Sequence, residues 1–171
     1  FLLLQVLNSQ TDLYLLSKHL ASFLSHCIMS ADVSEKPSRG ADVVFVIEST
    51  ANLGAYFDAL KTDYIIPTIE YFCGRALSEH SFTTDIAYSD TLFALVSYFT
   101  ASSAPEPAAV CMGPTSNAHK LLKWIDSLQF VGGGAENLGH VTEGLASALQ
   151  IFDDFQQIHQ SNNADDTKQQ E

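Results

Sequence analysis

Ala41-Asp-Val-Val-Phe-Val-Ile47, followed at once by Glu48-Ser-Thr-Ala-Asn-Leu-Gly54, decides the fold. A continuous β-branched and aromatic run reads as a strand buried on both faces, the central strand of a parallel sheet. Polar residues, a helix N-cap candidate at Asn52 and a glycine then mark the turn into a helix. That helix carries Leu53, Tyr56, Phe57, Leu60, Tyr64 and Ile65 on one stripe, and Pro67 is expected to end or kink it before Ile69–Phe72.

Working outward, Gly74–Asp90 is polar and aperiodic, a loop. Thr91–Phe99 is a second strand, and Ala101–Pro107 turns the chain into a short third strand, Ala108–Met112. So short a connection holds no crossover helix, so these two strands should be antiparallel neighbours. Pro105 and Pro107 place the third strand at an edge. Thr115 or Ser116 is the expected cap of a helix bearing Ala118, Leu121, Leu122, Ile125 and Leu128, with Trp124 as a large buried group. The glycine turn Phe130–Ala135 leads into a second helix with Leu138, Val141, Leu145, Ala148, Leu149, Phe152 and Phe155 on its apolar face. After Phe155 the sequence turns polar and reads as a solvated tail. The element order belongs to the α/β class.

The chain has 171 residues, one domain's worth, with 46% hydrophobic and 11% aromatic residues, so a core can be buried. Eight Lys plus Arg face 20 Asp plus Glu, a net charge of -12. That balance argues against direct nucleic-acid binding and against docking on an anionic membrane, both of which need basic charge. Before Met29 the chain is Leu-rich, but Asn8–Asp12 interrupts the apolar run, so no membrane span forms. Leu13, Leu16, Leu20, Phe23 or Leu24, and Cys27 recur at helical spacing. The expected organisation is an appended segment at 1–28, a leader at 29–40, a partial α/β domain at 41–159 and a disordered polar tail at 160–171.

Chemistry is sparse. Cys27, Cys73 and Cys111 form no CxxC pair, which excludes a zinc ribbon and a thioredoxin-like site and leaves small buried hydrophobes in a reducing compartment. The loop after the first strand lacks GxGxxG and GxxxxGK[ST]. Gly132, Gly133 and Gly134 have no lysine nearby to meet phosphate, so they read as a loop joining helices. No nucleophile elbow is present, and no enzyme activity or cofactor is expected. Glu136, His140 and Glu143 could share one helix face, although exposed Glu/His faces are far commoner than metal sites. Glu48, Thr50 and Asn52 sit at alternate positions at a strand end, where a hard cation would want converging oxygens.

That last pattern is a degenerate form of the Asp-x-Ser-x-Ser loop of metal-dependent von Willebrand factor A domains. Glu48 is a methylene too long, Asn52 replaces a hydroxyl with an amide, and the second loop, Gly132-Gly-Gly-Ala-Glu136-Asn137, offers no threonine in place. Glu48 and Thr50 would be the weak metal ligands of an adhesion-type alternative. Residues 41–54, Tyr64–Phe72, Pro114–Ser116, Trp124–Gly134 and Glu143–Phe155 closely resemble the Mediator subunit 25 branch of the A-domain family, whose loop is the same non-metal version. The resemblance implies a doubly wound, mostly parallel α/β sheet of Rossmann-like type that stops after about three strands. It also implies a nuclear, non-enzymatic coactivator module that anchors a Mediator subunit to the other Mediator subunits. Transcriptional activators would be received through regions absent from this chain. With the later strands missing, Val43–Ile47 should be an open edge, and the chain prone to aggregate.

Overall fold

In a computed structural model, the structure describes residues 2–6, 41–73, 77, 91–100, 108–133 and 138–168. In chain order the elements are β1 (Leu2–Val6), β2 (Val43–Glu48), α1 (Ala51–Gly54), α2 (Phe57–Leu60), a π-helical turn (Lys61–Ile65) and α3 (Ile66–Cys73). Next come β3 (Phe93–Tyr98), β4 (Ala109–Thr115), α4 (Ala118–Asp126) and α5 (Val141–Lys168).

One four-stranded sheet runs β1-β2-β3-β4. β1 pairs with β2 and β2 with β3 in parallel, while β3 and β4 are antiparallel, as their short connection requires. The mostly parallel α/β reading therefore holds. The open edge does not. β1 lies along β2 in register from Leu2↔Val43 to Val6↔Ile47. Those five residues, expected to lie outside the folded unit, form the strand at that edge of the sheet. The helix anticipated over Leu13–Cys27 lies outside the described residues, as does the loop at 78–90.

The two faces of β2 and β3 build two cores, because alternate side chains point to opposite sides. Val43, Phe45, Ile47, Phe93 and Leu95 pack with Leu53, Leu60, Ile65, Ile69, Leu121 and Ile125, under the helices from α1 to α4. Val44, Val46, Ala94, Val96 and Tyr98 pack with Ala148, Phe152 and Phe155 of α5. Every residue from Val43 to Ile47 is fully buried, the signature of a strand covered by helices on both sides. Gly144 brings α5 against the sheet: a Cβ there would stand 3.0 Å from Tyr98 Cδ1. At the other end of the contact, His159 Nε2 meets Asp42 Oδ1 at 2.8 Å.

Several local expectations are corrected. Pro67 does not end the helical segment; it sits in the first turn of α3, directly after a π-helical turn that breaks the α-helical pattern. A proline ring clashes with the carbonyl four residues back, here Asp63, and the wider π turn carries that residue. The cap of α4 is Asn117 rather than Thr115 or Ser116: its side chain accepts from Lys120 N at 3.1 Å. Thr115 instead accepts from Asn117 N through Oγ1 at 3.1 Å. Trp124 is half-buried, with the Lys120 ammonium 5.2 Å from its ring centroid. Leu138 (73% exposed) precedes α5, and Leu149 (59% exposed) is off its apolar face. Cys111 is exposed and Cys73 half-buried, so neither is the fully buried hydrophobe expected. α5 continues through the polar stretch to Lys168, where a disordered tail was expected.

Candidate functional site

The C-terminal end of β2 is where an open α/β sheet places its ligands. Here it is joined to the glycine loop by a short ladder of hydrogen bonds. Val131 N donates to Ser49 O at 3.1 Å, and Ala51 N donates to Gly132 O at 3.3 Å. The Asn52 Nδ2 amide adds a third bond, to Gly133 O at 3.0 Å. Ser49 N is held from the other side by Tyr98 O at 2.8 Å. Gly132 and Gly133 have φ of 67° and 87°, conformations open to glycine without a Cβ penalty. Gly133 is buried, and a Cβ on it would stand 2.7 Å from Thr50 Cβ. At Gly132 and Gly133 the missing side chain thus allows close approach and sets the backbone direction.

Within the loop, Thr50 Oγ1 donates to Glu48 Oε1 at 2.9 Å. Both residues are buried. Thr50 is also the N-cap of α1, its carbonyl accepting from Leu53 N and Gly54 N, but its hydroxyl makes no capping bond because Glu48 takes it. Asn52, expected to be that cap, lies two residues further on and donates to Gly133 O instead. Of the three residues read as an oxygen-ligand set, Glu48 and Thr50 meet and satisfy each other, while Asn52 is diverted to the facing loop. Mg²⁺ demands near-octahedral oxygen ligation with several donors free. One carboxylate already accepting a hydroxyl does not supply that, so the donor set does not fit the cation. Ser49 Oγ is buried with no hydrogen-bond partner among the described groups.

Gly134, Glu136 and Asn137 lie outside the described residues, so the trio Glu136, His140 and Glu143 is seen only in part. His140 Nδ1 approaches Glu143 Oε1 at 3.3 Å, and His140 N donates to Phe99 O at 2.9 Å. The carboxyl of Glu143 is held below its usual range, first by its own backbone N–H and then by the hydrogen bond from His140. Among the described residues no group of three or more His, Cys, Asp or Glu is placed to hold a metal ion. The loop-to-loop ladder is what sequence reasoning missed. Its one visible signal was the glycine run, which marks positive φ without naming the partner loop.

The profile described as "Mediator complex subunit 25 von Willebrand factor type A" matches residues 37–170. The chain belongs to that family. Its relatives include Mediator of RNA polymerase II transcription subunit 25 from Danio rerio, 51% identical over 120 residues, or 70% of this chain and 17% of that protein. The Homo sapiens protein of the same name is 46% identical over 131 residues, 74% of this chain and 17% of its own length. The Arabidopsis thaliana protein is 32% identical over 111 residues, 64% and 13% respectively. The chain thus spans about a sixth of the animal relatives it matches. Membership in the Mediator subunit 25 A-domain family sets aside the adhesion-type alternative. It also confirms the α/β fold of A-domain type expected from Ala41–Gly54. No described helix in this family member is long and apolar enough to cross a membrane.

Proposed function

We propose that the chain is a non-enzymatic protein-interaction module of a transcriptional coactivator in RNA polymerase II transcription. It acts in the nucleus, where it anchors its subunit to other Mediator subunits. The observation that carries this reading is the family match over residues 37–170. The site geometry supports it: Thr50 is engaged with Glu48, and Asn52 with Gly133. Its acidity, -12 overall, suits contact with basic protein surfaces and disfavours direct nucleic acid. Activators would reach the subunit through other regions.

The test mixes the full chain with purified Mediator lacking subunit 25 and follows co-elution. Stoichiometric association is expected, and its absence at micromolar concentration would overturn the anchoring role. A calorimetric titration with Mg²⁺ or Mn²⁺ addresses the sealed loop separately. No saturable binding is expected; binding at millimolar affinity or better, lost in Glu48→Ala, would restore a metal-dependent function.

A further inference from the structure

α4 turns Ala118, Leu121 and Ile125 inward, and all three are buried. Residues three and four apart share a helix face, so Lys120, Lys123 and Ser127 stand on the opposite side, where they are exposed. The two flanks of that outer face differ. On one, Asp126 is ion-paired with Lys61 of the π-helical turn, so the one carboxylate of α4 is already neutralised. On the other, Trp124 is half-buried, and Lys120 Nζ stands 5.2 Å from its ring centroid, within cation–π range. Among the described residues, neither Lys120 nor Lys123 has a carboxylate within ion-pair distance. Lys61 apart, they are the only lysines or arginines whose side chains are described, on a chain of net charge -12. The outer face of α4 is thus a small basic and aromatic surface on an acidic body.

We infer that this face docks a short acidic peptide segment of a partner protein, with Lys120 and Lys123 meeting its carboxylates and Trp124 meeting an apolar side chain. Charge complementarity selects that occupant. At physiological salt, charges are screened beyond about 8 Å, so a short segment lying on α4 feels the two lysines more than the distant carboxylates. A long polyanion such as nucleic acid spans the acidic body as well and is repelled. Exposed ion pairs are individually weak, so the indole supplies the fixed point and the lysines the selectivity. The Lys120 stem already lies over the indole, so less freedom is lost when the segment docks. This docking does not depend on the anchoring role.

Trp124 is the only tryptophan of the chain, so its emission reports on this face. The experiment titrates the full chain with a short synthetic peptide of Asp, Glu and Leu that carries no aromatic residue. A saturable change in emission is expected, with Kd below about 1 mM. Raising NaCl from about 0.05 M to about 0.5 M weakens it by about threefold or more. The charge reversal Lys120→Glu/Lys123→Glu weakens it by about fivefold or more, while the thermal melt stays that of the wild type because both positions are exposed. A counterpart peptide with Lys in place of Asp and Glu leaves the emission unchanged. The inference is overturned by a wild-type titration that does not saturate by about 1 mM, or by binding indifferent to salt, and both readings stand even if the reversal variant fails to fold. A folded reversal variant that binds as the wild type does overturns it too. So does tighter binding of the basic peptide, or of a single-stranded oligonucleotide, than of the acidic one.

Discussion

Replacing Gly133 by alanine probes the ladder that seals the end of β2. Two costs arise. A non-glycine residue at φ 87° loses about 1–2 kcal/mol against its favoured backbone regions. The new Cβ would also stand 2.7 Å from Thr50 Cβ, and the obstacle is a branched side chain held by its bond to Glu48 rather than a flexible tip. The loop must therefore retreat, and the Asn52 Nδ2–Gly133 O bond at 3.0 Å goes with it, worth about 0.5–1.5 kcal/mol. The sum is about 1.5–3.5 kcal/mol, which for a domain of this size lowers the melting temperature by roughly 3–14 °C. Urea denaturation of the full chain reads it. Gly139→Ala is the control, because a Cβ there meets nothing closer than 3.8 Å and should change stability by less than about 0.5 kcal/mol. Asn52→Ala alone should cost about 1 kcal/mol. Combined with Gly133→Ala it should add less than that, because the bond has already gone. A Gly133→Ala chain as stable as Gly139→Ala would refute the reasoning, showing that the two loops are not held together at this point.

Phe155→Ala empties a fully buried position between α5 and the sheet and should cost about 3–5 kcal/mol in the same assay. Leu149→Gln, six residues earlier on the same helix and 59% exposed, should stay within about 0.5 kcal/mol; a large loss would mean that α5 is rotated from the orientation described. Glu143 titrates below the usual glutamate range in the folded state. Its contribution to stability is therefore present above the unfolded value of about 4.3 and is lost as pH falls through the folded value. Carbon-detected NMR titration should show that low midpoint. His140→Ala should raise it only part of the way, because the residue's own backbone N–H is the larger cause. Full return to the ordinary value would reverse that ranking.

Patterns with a period were legible in the sequence. Val43–Ile47 announced a strand covered on both faces, because no half-exposed strand carries five such residues in succession. The short link between β3 and β4 fixed their antiparallel pairing without reference to anything else. Buried Ala148, Phe152 and Phe155 kept helical spacing, whereas Leu149 looked like a member of that stripe only because hydropathy carries no angle. Helix starts were displaced by one or two residues, since Thr50, Asn52, Thr115, Ser116 and Asn117 all have capping side chains and the choice falls to tertiary contacts. Thr50 could not cap with its hydroxyl once Glu48 had taken it. The polar end of α5 is helical without an apolar signal because a helix already nucleated on buried Phe152 and Phe155 propagates at little cost per residue.

What escaped the sequence has a common physical form. The ladder from Ser49–Asn52 to Val131–Gly133 and the register of Leu2–Val6 on Val43–Ile47 are both made largely of backbone groups far apart in the chain. Backbone donors and acceptors are the same at every residue, so no side-chain pattern names their partners. Such contacts also decide what the β2 end can do. In a loop of similar composition left unpaired, Glu48, Thr50 and Asn52 would present a carboxylate, a hydroxyl and an amide to solvent. Here the facing glycines, able to adopt positive φ and to approach within contact of Thr50, draw the amide across, while the hydroxyl turns to the carboxylate. The partners these polar groups take therefore rest less on which polar residues the first loop carries than on what the second loop allows to come close.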